Sequence, residues 1–75
     1  MTLWRMLVET SSGLWTYVVA APNHLRAWDT VLEAQPPGTL LSVSLEELER
    51  TGERRALIAP QIVQRWRGGR PPRAA

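Results

Sequence analysis

The chain has no cysteine, no lysine and no phenylalanine, and it has a single histidine and a single tyrosine. Without cysteine there can be no disulfide and no thiolate metal site. His24 cannot hold a metal unless carboxylates converge on it, so neither a metal nor a cofactor is expected. No stretch approaches the ~18–20 consecutive apolar residues of a membrane helix. The first apolar run carries one arginine and is broken by Glu9, Thr10, Ser11 and Ser12. It does not read as a signal peptide, and with cysteine absent the expected location is the cytoplasm. Catalytic sets are missing as well. No Gly-x-Ser-x-Gly context surrounds Ser11 or Ser12, "RGGRPP" lacks the strand-to-helix setting of a phosphate loop, and Glu46, Glu47 and Glu49 are not spaced as a paired acid and base. A non-enzymatic protein is expected.

Seventy-five residues make one small domain, near the lower limit for independent folding. Tight packing, self-association into a homodimer or a partner must supply what disulfides and metals cannot. Four tryptophans, Trp4, Trp15, Trp28 and Trp66, offer unusual packing area for this length. All nine basic residues are arginine, a composition that suits phosphate or carboxylate recognition and that a GC-rich genome also produces. Their distribution is uneven. Residues 1–64 hold five arginines against seven acids, a charge of −2, whereas residues 65–75 hold four arginines and no acid, a charge of +4.

"LWRMLVE" alternates Trp4, Met6 and Val8 against Arg5, Leu7 and Glu9, which is strand periodicity. After the turn signal "TSSG", the β-rich run "LWTYVVAA" completes an antiparallel hairpin over residues 3–21, with Trp4 and Trp15 as a candidate cross-strand pair. Asn23 is placed to cap a helix over residues 23–35, and its apolar stripe is Leu25, Trp28 and Leu32, joined by Val31 and Ala34. "PPG" ends that helix. Residues 39–45 alternate as a third strand. Ser44 and Glu47 form a capping-box pattern that predicts a short helix through "LEELERTG", with the acids complementing its dipole. Pro60 then predicts a last helix over 60–67, while 53–59 stays open among strand, helix and loop. The expected fold class is therefore α+β: a small two-layer β-β-α-β domain followed by one or two short helices and a basic tail. Residues 1–67 form the domain and 68–75 a flexible Arg/Pro/Gly tail.

Two sets of residues stand out for binding. Trp4, Arg5, Trp15 and Tyr17 are hot-spot types carried on a sheet that one helix can cover on only one face, so they are the candidate protein-binding residues. Arg65, Trp66, Arg67, Arg70 and Arg73 are the candidate nucleic-acid-binding residues. They form a basic arm with one stacking surface, able to follow a phosphate backbone without reading bases. "PQIVQRWRGGRPP" resembles the recognition-helix end of excisionase-like winged helix-turn-helix proteins, over residues 60–72 only. The cysteine-free β-β-α-β build without a catalytic set also resembles small phage and plasmid inhibitors of host complexes, including anti-CRISPR proteins, in size and style and through no motif. The expectation is a binding protein that acts by occupying a macromolecular partner, with protein favoured over nucleic acid.

Overall fold

A computed structural model describes residues 2–50 and 59–69 of the chain. Strands β1 (Thr2–Thr10) and β2 (Gly13–Ala21) form the expected hairpin, paired from Thr2↔Ala21 to Thr10↔Gly13. Helix α1 (His24–Glu33) follows, then β3 (Leu40–Arg50) and β4 (Gln61–Arg67). The sheet order is β3-β1-β2-β4, with every neighbouring pair antiparallel. Since β2 and β3 both run antiparallel to β1, they are parallel to each other, and α1 is the crossover that joins them across β1.

The helix starts where its cap was expected. The Asn23 side chain accepts the Arg26 N–H at 3.0 Å, and the Asn23 carbonyl accepts the Ala27 N–H. It ends in a tightened turn, with Gln35 at φ 45° just ahead of Pro36 and Pro37. The packing face overlaps the expected one at Val31 and is otherwise turned away from it. Ala27 and Val31 are the buried helical residues, whereas Leu25 is 65% exposed and Trp28 36% exposed. Ala27 and Val31 join Val19 and Ala21 in the buried cluster, while the larger Leu25 and Trp28 lie to one flank. The apolar stripe Leu25–Trp28–Leu32 was a true helical period pointed about a quarter-turn or more from the core.

Two expected helices are strands. "SLEELER" continues β3, because β1 offers it a partner along its whole length: Leu45 lies opposite Met6, and Glu46 opposite Arg5, its ion-pair partner. Pairing the backbone of a buried central strand outweighs a local capping signal. Residues 61–67 likewise fill the second edge of β2 rather than forming a helix after Pro60. A bulge at Val63 shifts the alternation there, so Ile62 faces the helix while Gln64 and Trp66 face away, which hid the strand period. The expected tail, like the open stretch 53–59, falls mostly outside the described residues.

The core lies between α1 and one sheet face: Met6, Val8, Tyr17, Val19, Ala21, Ala27 and Val31, with Trp4, Trp15, Val43, Leu45 and Ile62 packed around it. At the far end of the hairpin the Ser11–Ser12 turn is docked on the loop after α1. Ser12 Oγ donates to the Pro37 carbonyl at 2.7 Å, and Thr39 N–H donates to Ser11 Oγ at 2.8 Å. Gly38 is held at φ 90° in this contact, where an added Cβ would sit 2.6 Å from Ser11 Oγ and 3.0 Å from the Ser12 nitrogen.

Two substitution experiments check this packing. Met6→Ala empties a fully buried site and is expected to cost ~2–5 kcal/mol in denaturant unfolding, whereas Leu25→Ala stays within about 0.5 kcal/mol. Gly38→Ala adds both left-handed strain and a collision with backbone, so a loss of about 1–3 kcal/mol is expected. An unchanged melting temperature for Gly38→Ala would mean that the loop does not dock on the hairpin turn.

Candidate functional site

Alternation along the strands sorts the side chains onto two faces. Trp4, Met6, Val8, Trp15, Tyr17 and Val19 point toward the helix, as their mutual register requires. Trp4 lies opposite Val19 and Trp15 opposite Val8, so the two tryptophans are not a cross-strand pair. The Trp4 indole N–H donates to the Ala21 carbonyl at 3.1 Å, and its ring meets His24 edge-on with centroids 6.4 Å apart. Tyr17 is 1% exposed. The four proposed protein-binding residues are therefore not one patch. Trp4, Trp15 and Tyr17 belong to the helix side, and Arg5 points from the opposite face, where its Nε donates to the Glu46 carboxylate at 3.1 Å.

The helix-free face carries a different set: Leu3 and Leu7 from β1, Leu14 and Val18 from β2, and Trp66 from β4, all half-buried. Polar contacts border this row, with Arg5 paired to Glu46 and Ser42 Oγ donating to Glu9 at 3.3 Å. Thr16, also on this face, is fully buried, and its hydroxyl donates to the Gly68 carbonyl at 2.6 Å. The period-two pattern of "LWRMLVE" already separated Leu7 from the core residues. What it lacked was the knowledge that the core side would take both hairpin tryptophans.

β4 positions the described part of the basic segment. Arg65 and Arg67, two residues apart on a strand, share the helix-side face, and Trp66 points the other way. Arg67 sits over the Trp15 ring at 5.5 Å and donates to the Ser12 carbonyl at 3.2 Å. The recognition-helix resemblance lapses because its central residues form a strand. Arg70 and Arg73 lie outside the described residues. The Trp15 and Trp66 indole N–H groups are both buried with no acceptor, each a penalty of ~1–3 kcal/mol in a small domain.

The residues considered for catalysis lie apart. His24 follows the end of β2 and the serines precede its start, so nine residues of strand, about 30 Å, separate them. Glu46 and Glu47 project from opposite faces of β3 rather than from the first turn of a helix, which removes the dipole role expected for them. Nothing is described of the Glu49 side chain. Among the described residues, no group of three or more His, Cys, Asp or Glu side chains could hold a metal ion. No described helix is long and apolar enough to cross a membrane.

Burial pushes the Tyr17 phenol above its ordinary range, and the nearby Arg65 guanidinium pulls it back in part. A raised folded pKa means the folded state favours the neutral phenol. Its contribution to stability is complete below the unfolded value of about 10 and is lost as pH rises through the folded value. Tyrosinate absorbance of this single-tyrosine chain should thus titrate above pH ~10 while unfolding becomes easier. Arg65→Gln should move that titration further up; a downward move would show that the guanidinium does not act on the phenol.

Compared with known protein families, curated proteins and solved structures, the chain matches none.

Proposed function

We propose that this chain is a non-enzymatic binding protein that acts by occupying a protein partner with the helix-free face of its sheet. The observation that carries the reading is the one-sided cover of the sheet. α1 packs on the Met6–Tyr17 side; on the other face Gly68 and Gly69 lie against Thr16 and Leu14, and no described element lies over Leu3, Leu7 and Val18. An apolar centre with one tryptophan, bordered by an arginine–carboxylate pair, has the composition of a protein interface. Occupancy of a host complex, in the manner of small phage- or plasmid-borne inhibitors, is the form of binding this reading favours. That part rests on size and build.

A second reading uses β4. Arg65 and Arg67 on one face of an edge strand suit a phosphate backbone. Arg67 is already engaged by the Trp15 ring and the Ser12 carbonyl, and Arg65 lies beside Tyr17, which favours the protein reading.

Site-specific photocrosslinking separates the two. A crosslinker at Leu7 should yield protein adducts in extracts of the source organism, and one at Asp29, on the exposed side of α1, should not. Leu7→Arg should remove partner capture through a crosslinker at Val18 while melting stays within a few degrees. Crosslinks to nucleic acid, or equal labelling from both positions, would count against the reading. The basic strand is tested by titrating labelled single strands and duplexes. If β4 binds phosphates, Arg65→Gln with Arg67→Gln lowers the salt slope by roughly 1.4–1.8.

A further inference from the structure

We infer that the chain associates with a second copy of itself through the outer edge of β3, joining two four-stranded sheets into one continuous sheet about a two-fold axis at Ser44. Three observations carry this, and of the helix-free face on which the proposed function rests they use only the bordering Arg5–Glu46 pair.

The first is the contrast between the two sheet edges. β4 is short, follows Pro60, bulges at Val63 and carries Arg65 and Arg67, all features that discourage further pairing. β3 is eleven residues long, and among the described residues no strand pairs with its outer side. Its irregularities fall only near its ends, at Leu41 and Leu48, and leave the middle regular.

The second is which backbone groups face outward. Ser11 N–H donates to the Thr39 carbonyl and Gly68 N–H to the Leu14 carbonyl. These two bonds fix the alternation of the hairpin: Arg5, Leu7 and Glu9 turn their backbone groups toward β3. Their partners Glu46, Ser44 and Ser42 are therefore satisfied by β1, while Val43 and Leu45 present N–H and C=O to the outside. A two-fold axis at Ser44 sets Val43 opposite Leu45 of the second copy, twice, so these groups bond one another and the apolar helix-side face runs on across the junction. On the other face Ser42 meets Glu46 of the second copy. A hydroxyl thus faces a carboxylate already neutralised by Arg5, and no like charges are opposed.

The third is where the exposed large apolar side chains lie. Among the described residues, Leu40, Leu41 and Leu48 are on β3, Leu25 and Trp28 are on the flank of α1 turned toward that side, and Val63 is on β4. The flank is identified by its neighbours. Leu32 shares a shallow pocket with Leu40, whereas Arg26 and Thr30 on the opposite flank share one with Pro60 at the start of β4. α1 rests on β2, with β1 between it and β3, so the part that meets the second copy is the strand edge with its own side chains, about 36 Å long, an interface at the small end of the specific range. An interface of that size belongs to the weak, transient class, so the dimer is expected toward the upper end of the concentration range below.

Sedimentation equilibrium of the whole chain from about 10 µM to about 1 mM should show a shift from 8.5 kDa to twice that mass. Ser44→Lys places two ammonium groups opposite each other on the axis, at an exposed position that leaves the monomer fold intact. It should weaken the dimer about fivefold or more, and most at low salt. Amide exchange of the unaltered chain gives a reading independent of any variant. The Val43 and Leu45 amides should slow as concentration rises, while those of Ser42 and Ser44, bonded to β1 in the monomer, should not. A single 8.5 kDa species throughout, a dimer indifferent to Ser44→Lys, or exchange at Val43 and Leu45 independent of concentration would each overturn the inference.

Discussion

Both outer strands of this sheet are hydrogen-bonded to the β1–β2 hairpin and to nothing else among the described strands: β3 to β1, β4 to β2. The hairpin is therefore the template on which everything else is assembled. Its Ser11–Ser12 turn receives the loop that carries the chain from α1 into β3, and the carbonyl of Ser12 holds Arg67 at the end of β4. Side-chain burial follows from the same template, since one alternation in β1 and β2 decides which residues of all four strands meet the helix.

A thin core follows. The helix contributes two small or medium buried side chains, and the largest buried ones come from the hairpin itself. Aromatic mass is spread around that core rather than placed in its centre, with Trp4 and Trp15 at its margin and Trp66 on the other face. Such a domain has little stability in reserve. Two buried indole N–H groups without acceptors are a notable burden in it.

The hairpin and the capped helix were legible in the sequence because their signals are local: period two on either side of "TSSG", then Asn23 and period 3.6. The errors came where a long-range partner decided the outcome. Nothing near Ser44 announces that Arg5 will pair with Glu46, and the capping-box pattern there is locally sound. The Val63 bulge erased the alternation that would have marked β4. The helix stripe is a true helical period of which Val31 is buried while Leu25 and Trp28 are exposed, since periodicity gives a spacing but not a direction. For the candidate site, local sequence showed residue types but carried no signal for the face each would take. A tryptophan in a strand reads the same whether it packs beneath a helix or lies on an open sheet.

The link between Thr16 and Gly68 spans 52 positions of chain, whereas the hairpin closes over a two-residue turn. Loop closure grows costlier with length, so the hairpin can form quickly and β4 must wait for the chain between to be gathered in. Among the described elements β4 is joined to β2, the helix and, through Arg67, the hairpin turn, and it is also the strand whose release leaves most of the core in place. The fold thus has a built-in order of events, with the hairpin earliest and the arginine-bearing edge the last to close and the first to open.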